Sequence, residues 1–256
     1  MHLYFSGIAS KQELGFLQEA QIENLLFDPL DFNKLFDNIS DYKKKYLNIN
    51  GLNTRIMLDS GAYREFKGKF SIEIDEYKNL AKNHDFDLRV AKDVIGDPKQ
   101  TFDNWKNHFS PAKTSTPYMP VWEYGAPEEY LKAYLDDSPI VGIGGLVPKM
   151  REKDNQMLKD LKKLCKQYPG RFHLFGCNWL KAVNHLRDFL YSGDTSKFLD
   201  GGRYGHVIFT HAKHGTLSQA PAKFLGLQDL TRADRCIKSA EAMRDFCGVK
   251  IDRAAA

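Results

Sequence analysis

RIMLDSGAY, residues 55–63, is the stretch that decides how the chain folds. It is a short apolar run that ends in an acid, Asp59, and then breaks into Ser60-Gly61-Ala62, small residues suited to a turn. Tyr63 is the first bulky group after the turn. The same unit recurs outward in both directions as LYFSG (3–7), NLLFD (24–28), LRVAKD (88–93), YMPVW (118–122), IVGIG (140–144), RFHLFG (171–176) and FLYSGD (189–194). Between these runs, IEIDEYKNLAKNH, PKQTFDNWKNHF, PEEYLKAYLDD, DNQMLKDLKKLCKQY and WLKAVNHLRDFL carry apolar residues at three- and four-residue spacing, the period of a helix. Short apolar runs alternating with helices are the signature of parallel βα units.

Eight such runs in 256 residues predict an α/β protein, a (β/α)8 TIM barrel. The barrel is read as one domain over residues 1–253, with 254–256 a short tail. The competing doubly wound sheet would carry GxGxxG after its first strand, and SGIASKQ does not match it. After the eighth run, GGRYGHVIFTHAKHGTL (201–217) predicts a β-ribbon over the barrel mouth, and a closing helix is expected from about Asp229 to Phe246.

With 42% hydrophobic and 27% charged residues, the chain has the composition of a globular protein rather than a disordered one. A net charge of +4 permits a nucleic-acid partner without arguing for one. Cys165, Cys177, Cys236 and Cys247 form no CxxC pair and no zinc spacing, so buried, reduced thiols and no metal are expected. There is no secretory signal and no apolar run of membrane-spanning length, which together predict a cytoplasmic protein with no membrane partner.

Barrel enzymes place their chemistry at the carboxyl ends of the strands. Here the third run ends in Asp59, the fourth in Asp93, the fifth in Trp122-Glu123, the sixth in Gly144-Gly145, the seventh in Gly176 and the eighth in Asp194. Acids beside glycines describe a cup for a flat ligand: an aspartate accepts two hydrogen bonds from a ring edge, and glycine exposes backbone N–H groups. Tyr63 and Trp122 are candidates to stack on such a ring. Each residue also has a plainer reading, the acids as helix caps, the glycine pair as a tight turn and Trp122 as core.

LDSGAY (58–63) resembles the TDSGGFQ motif of the tRNA-guanine transglycosylases. VGIGGL (141–146) is similar to that family's AIGGL, and HLFGCN (173–178) to its LMGVG. LRVAKDVIGDP (88–98) stands where the family has a strand ending in a base-reading aspartate, and DGGRYGHVIF (200–209) where it has a post-barrel ribbon. The resemblance implies that Asp59 is the general acid/base. It also implies that Asp93 and the Gly144-Gly145 backbone read the base edge, that Tyr63 covers its face and that Asp194 is the nucleophile; Ser60, Gly61, Trp122 and Gly176, from their places at the strand ends, are expected to complete the base site. Asp200 is the alternative nucleophile. No cofactor is implied.

The sequence departs from the tRNA enzymes in having no CxCxxC segment, in carrying Ala62 and Arg64 for the second glycine and the glutamine of DSGGFQ, and in reading PVWEYG at the fifth run. SGDTSKF (192–198) followed by RYG is more similar to compact, phage-type relatives that insert 7-deazaguanine bases into DNA. The resemblance therefore implies DNA and a free 7-deazaguanine as substrates, with tRNA the alternative polymer and a delivering partner protein allowed. Lys149, Arg151 and Lys153, with Arg203, Lys213 and His214, are read as a basic rim for phosphates. A guanine must leave its stack to react, which predicts base flipping or a single-stranded substrate. The same acids also fit a nucleoside or glycoside hydrolase, and the basic rim also fits a non-catalytic nucleic-acid binder.

Overall fold

A computed structural model of the chain describes residues 1–51, 53–146 and 155–248. Eight strands form one all-parallel sheet: β1 (His2–Phe5), β2 (Asn24–Phe27), β3 (Arg55–Leu58), β4 (Leu88–Arg89), β5 (Val121–Glu123), β6 (Val141–Gly144), β7 (Phe172–Leu174) and β8 (Ser192–Thr195). Their order is β4-β3-β2-β1-β8-β7-β6-β5, so chain neighbours are sheet neighbours except β4 and β5, which stand at the two edges, while β8 returns beside β1. That return is in full register, from His2 opposite Ser192 to Phe5 opposite Thr195.

The sheet is curled and barrel-like. Leu3, Phe5, Leu25, Phe27, Ile56, Leu58, Val141 and Ile143 belong to one large core, between the sheet and the helices. The residues of opposite parity, Tyr4, Leu26, Met57, Val90, Met119 and Val121, form a separate cluster. Side chains alternate faces along a strand, so the two clusters are the two faces of one sheet. Val90 follows β4 and Val121 opens β5, at opposite edges of the sheet, yet both sit in the inner cluster; a flat sheet would keep them apart. The edges meet at one parallel bridge, Val90 to Met119, where Met119 N–H donates to Arg89 O at 2.7 Å and Ala91 N–H to Met119 O at 2.8 Å.

Helices cover the outer face: α1 (Lys11–Glu19), α2 (Pro29–Leu35), α3 (Ile39–Asn50), α4 (Ala62–Phe66), α5 (Ile74–Asn83), α6 (Pro98–Asn104), α7 (Glu128–Asp137), α8 (Asn155–Gln167) and α9 (Leu180–Leu186). Their starts are written locally. Ser10 accepts the Glu13 N–H at 3.2 Å while Glu13 accepts the Ala9 N–H at 2.9 Å, a reciprocal cap. Asp28-Pro29 and Asp97-Pro98 each place a capping acid before a proline whose missing N–H costs nothing in the first turn.

The chain then forms α10 (Asp200–Arg203), an antiparallel ribbon of β9 (His206–His211) and β10 (Thr216–Pro221), and α11 (Arg232–Gly248). Two expectations are corrected here. DGGR is a helical turn rather than part of the ribbon: a Cβ on Gly201 would come within 2.8 Å of the α11 backbone at Cys236, so glycine lets the two helices touch. The ribbon also lies against the outer layer, with the Ile208 N–H bonded to Ser239 of α11 and Leu217 bonded in both directions to Asn184 of α9. The eighth strand starts at Ser192, three residues later than FLYSGD suggested, because Leu190 N–H still bonds back to Leu186 at the end of α9. Among the described residues no helix is long and apolar enough to cross a membrane.

Candidate active site

A cavity of about 720 Å³ opens at the carboxyl end of the strands. It draws its lining from the ends of β1, β2, β3, β6, β7 and β8, and from Asp93 beyond β4. Asp59, Ser60, Gly61, Tyr63, Asp93, Gly144, Gly145, Gly176, Asp194 and Arg203 all line it.

On the β3–β4 wall, the Asp59 N–H continues the ladder to Phe27 O at 2.8 Å, which aims its side chain into the cavity. Burial pushes the Asp59 carboxyl well above the usual carboxylate range, and the negative charges of Asp93, Asp194 and Asp28 push it further. Burial also lifts Asp93, to about 6, against the opposing hydrogen bond from Ser60. Ser60 Oγ donates to Asp93 Oδ1 at 2.5 Å and accepts the Ala62 N–H at 3.2 Å, so it couples the two strand ends to the turn. Tyr63 stands half exposed at the rim.

On the β7–β8 wall, Asp194 is buried and held by two donors, Ser6 Oγ to Oδ2 at 2.8 Å and Gly176 N–H to Oδ1 at 2.7 Å. His173 Nε2 lies 3.6 Å from Asp194 Oδ1, while Nδ1 is 2.8 Å from Ser192 Oγ. His173 is wholly buried, and Nε2 has no hydrogen-bond partner. Between the walls, Gly145 turns at φ +71°, and Glu123 Cγ lies 2.5 Å from where a Cβ would be. Phe175 occupies the space above Gly142 in the same way and lines the cavity.

Trp122 does not belong to this site. Along β5 the inward positions are Val121 and Glu123, so Trp122 faces the helices, where it is buried and its Nε1–H donates to Pro127 O at 3.3 Å. Phe175, by contrast, lines the cavity together with Tyr63 and Phe27. Lys213 lies in the exposed turn of the ribbon and does not line the cavity; no residue of β9 or β10 does. Asp200 is likewise away from the cavity lining, tied to Lys197 Nζ at 2.6 Å and Gln219 Nε2 at 2.9 Å. Lys149, Arg151 and Lys153 lie outside the described residues.

Ser6, His173, Phe175, Lys67 and Lys69 were not read from the sequence. The strand-end rule applied to LYFSG would have marked Ser6, and alternation along RFHLFG would have turned His173 inward. Arg64, which stands where the resembled motif has glutamine, is tied to Asp28 and Asp31 at the cavity wall. All four cysteines are buried and free, and among the described residues no group of three or more His, Cys, Asp or Glu side chains is arranged for a metal ion. No protein-family model matches the sequence, and comparison with curated proteins finds no significant relative.

Proposed function

We propose that the protein is a base-exchange transglycosylase that replaces guanine in DNA with a 7-deazaguanine derivative, through a covalent aspartyl-glycosyl intermediate. We further read the curled sheet as a closed (β/α)8 barrel, on the strength of the Val90–Met119 bridge. One observation carries the functional reading: Asp59, Asp93 and Asp194 face one cavity, with burial raising the first two carboxyls and two hydrogen-bond donors fixing the third. Base exchange needs one carboxylate to attack and another to trade a proton.

In the proposed reaction the Asp194 carboxylate attacks the sugar C1′ and the C1′–N9 bond breaks, its electron pair leaving with guanine. Asp59, neutral because burial and its acidic neighbours favour the protonated form, gives its proton to the departing base. The incoming 7-deazaguanine returns a proton to Asp59 and forms the new C1′–N9 bond. The ester C1′–O bond breaks as that bond forms, and its electron pair restores the Asp194 carboxylate. Ionised Asp93 accepts the N–H and NH2 edge of the base, and Gly144 and Gly145 let the ring approach the backbone. Ser6 and Gly176 hold Asp194 in a fixed orientation for both steps.

The choice of DNA rests on the resemblance of SGDTSKF and RYG to compact relatives. Labelled guanine offered with matched DNA and tRNA tests both polymer and activity. The expected result is incorporation into DNA, a denaturant-stable protein–DNA adduct, and neither with Asp194→Ala. An undiminished adduct in that variant would overturn the nucleophile, and free base released without exchange would assign a hydrolase instead.

A further inference from the structure

Among the described residues five large apolar or aromatic side chains are prominently exposed: Leu47 at 48%, Tyr63 at 46%, Phe66 at 59%, Tyr204 at 67% and Phe224 at 74%. Four are aromatic, and they fall in two groups. The first follows β3. There Lys67 Nζ stands 5.6 Å from the Tyr63 ring centroid and 5.2 Å from that of Phe66, and Tyr63, Lys67 and Lys69 line the cavity. The second joins two segments, one after α10 and one after β10. In it Tyr204 adjoins Arg203, a cavity residue, and Lys223 Nζ stands 5.1 Å over the Phe224 ring. The Ala222 N–H donates to Gly205 O at 2.9 Å, which ties the Tyr204 and Phe224 segments together.

Exposed rings are costly in water, and a lysine over a ring keeps that ring from joining a dry interface, where lysine is depleted. A ring face with a cation beside it suits an unpaired base and its phosphate. Tyr63, Lys67 and Lys69 on the first side and Arg203 on the second line the same cavity, so a strand lying across it meets both groups.

We infer that these two aromatic–cation groups are the track of a single-stranded nucleic acid across the cavity, with bases flanking the reacting nucleotide stacked on Phe66 and Phe224 and phosphates beside Lys67 and Lys223. The inference deepens the base-exchange reading and rests on it for the identity of the central nucleotide. A duplex offers its base faces to neither ring. The substrate is therefore single-stranded, or melted over a few positions on binding.

Fluorescence anisotropy with a labelled 12-nucleotide DNA strand, an RNA strand of the same sequence and the matching DNA duplex tests the track on the full chain. Phe66→Ala and Phe224→Ala are surface changes that leave the core intact. Each is expected to weaken single-strand binding by about 5- to 100-fold, the scale of one lost base stack. Lys67→Ala is expected to flatten the salt dependence by about 0.7 in log–log slope, the single-strand value for one phosphate. Preference for either strand over the duplex supports the track, and the DNA and RNA arms identify the polymer. Tighter binding of the duplex, or unchanged single-strand affinity in both phenylalanine variants, would overturn it. So would a concentration-dependent dimer that Phe66→Ala or Phe224→Ala dissociates, which would assign the rings to a second copy. Adduct formation with an unaffected binding profile would sink the track and leave the exchange reading standing, whereas track binding without exchange would do the reverse.

Discussion

The β3–β4 wall of the cavity and the β7–β8 wall carry the same functional group in opposite settings. Asp59 and Asp93 are desolvated among other acids, and both are pushed toward the protonated form. Asp194, across the cavity, accepts from a hydroxyl and a backbone N–H, and has His173 at 3.6 Å. One wall raises its carboxyls' affinity for protons, and the other fixes its carboxyl between two donors. The difference comes from neighbours, since every one of these residues is an aspartate at a strand end.

The strongest way to break this comparison is Asp59→Asn, which removes the proton carrier and leaves the shape. Exchange should fall by about 10²- to 10⁴-fold, the contribution of a positioned acid/base. If Asp59 acts as a neutral donor, wild-type exchange also declines as pH rises through its raised value, and that descending limb should vanish in the variant. A pH–rate profile of both proteins checks this. On the opposite wall, Ser6→Ala deletes one of the two donors to Asp194. A hydrogen bond to a charged group is worth about 1.5–3 kcal/mol, so adduct formation should slow by at least about 10-fold. Base preference should not change.

Asp93 sharpens the comparison through both rate and stability. If Asp93 reads the base as a carboxylate, as proposed, exchange should rise as pH increases through about 6, and Asp93→Asn should abolish that rising limb. Folded Asp93 holds its proton more tightly than the unfolded chain does. The stability this provides is full below the ordinary value of 3.8 and is lost as pH rises through about 6. Relative to wild type, Asp93→Asn should therefore gain about 5–10 °C in Tm at pH 7.5 compared with pH 4, readable by calorimetry. The smallest effect is expected from Trp122→Phe. With its ring outside the cavity, exchange should stay within about twofold while Tm falls by a few degrees for the lost indole packing. A large rise in KM for the free base would return Trp122 to the site.

The strands were legible because each is a short apolar run closed by turn residues, and all eight lie at or within three residues of where such runs occur. The five crossover helices were legible from their periodicity. α1, α2, α3 and α4 were not: they are short or weakly amphipathic, and their starts rest on caps such as Ser10, Asp28 and Asn38 rather than on an apolar stripe. Among the cavity-lining residues, Asp59, Asp93, Asp194 and the glycines were legible because they stand at strand ends. Trp122 was misplaced because a one-residue change in where β5 begins turns every side chain to the other face.

The sequence by itself determined the alternation of strand and helix, and with it which acids stand at the carboxyl ends of a parallel sheet. That follows from local physics: apolar period, turn chemistry and capping act over a few residues. Tertiary structure decided what those acids become. The curl that returns β8 to β1 brings Ser6 to Asp194 across 188 positions of sequence, and the adjacency of β3 and β4 sets Ser60 against Asp93 across 33. A carboxyl's affinity for its proton depends on which dipoles and charges surround it and how much water remains, and only packing brings those neighbours together.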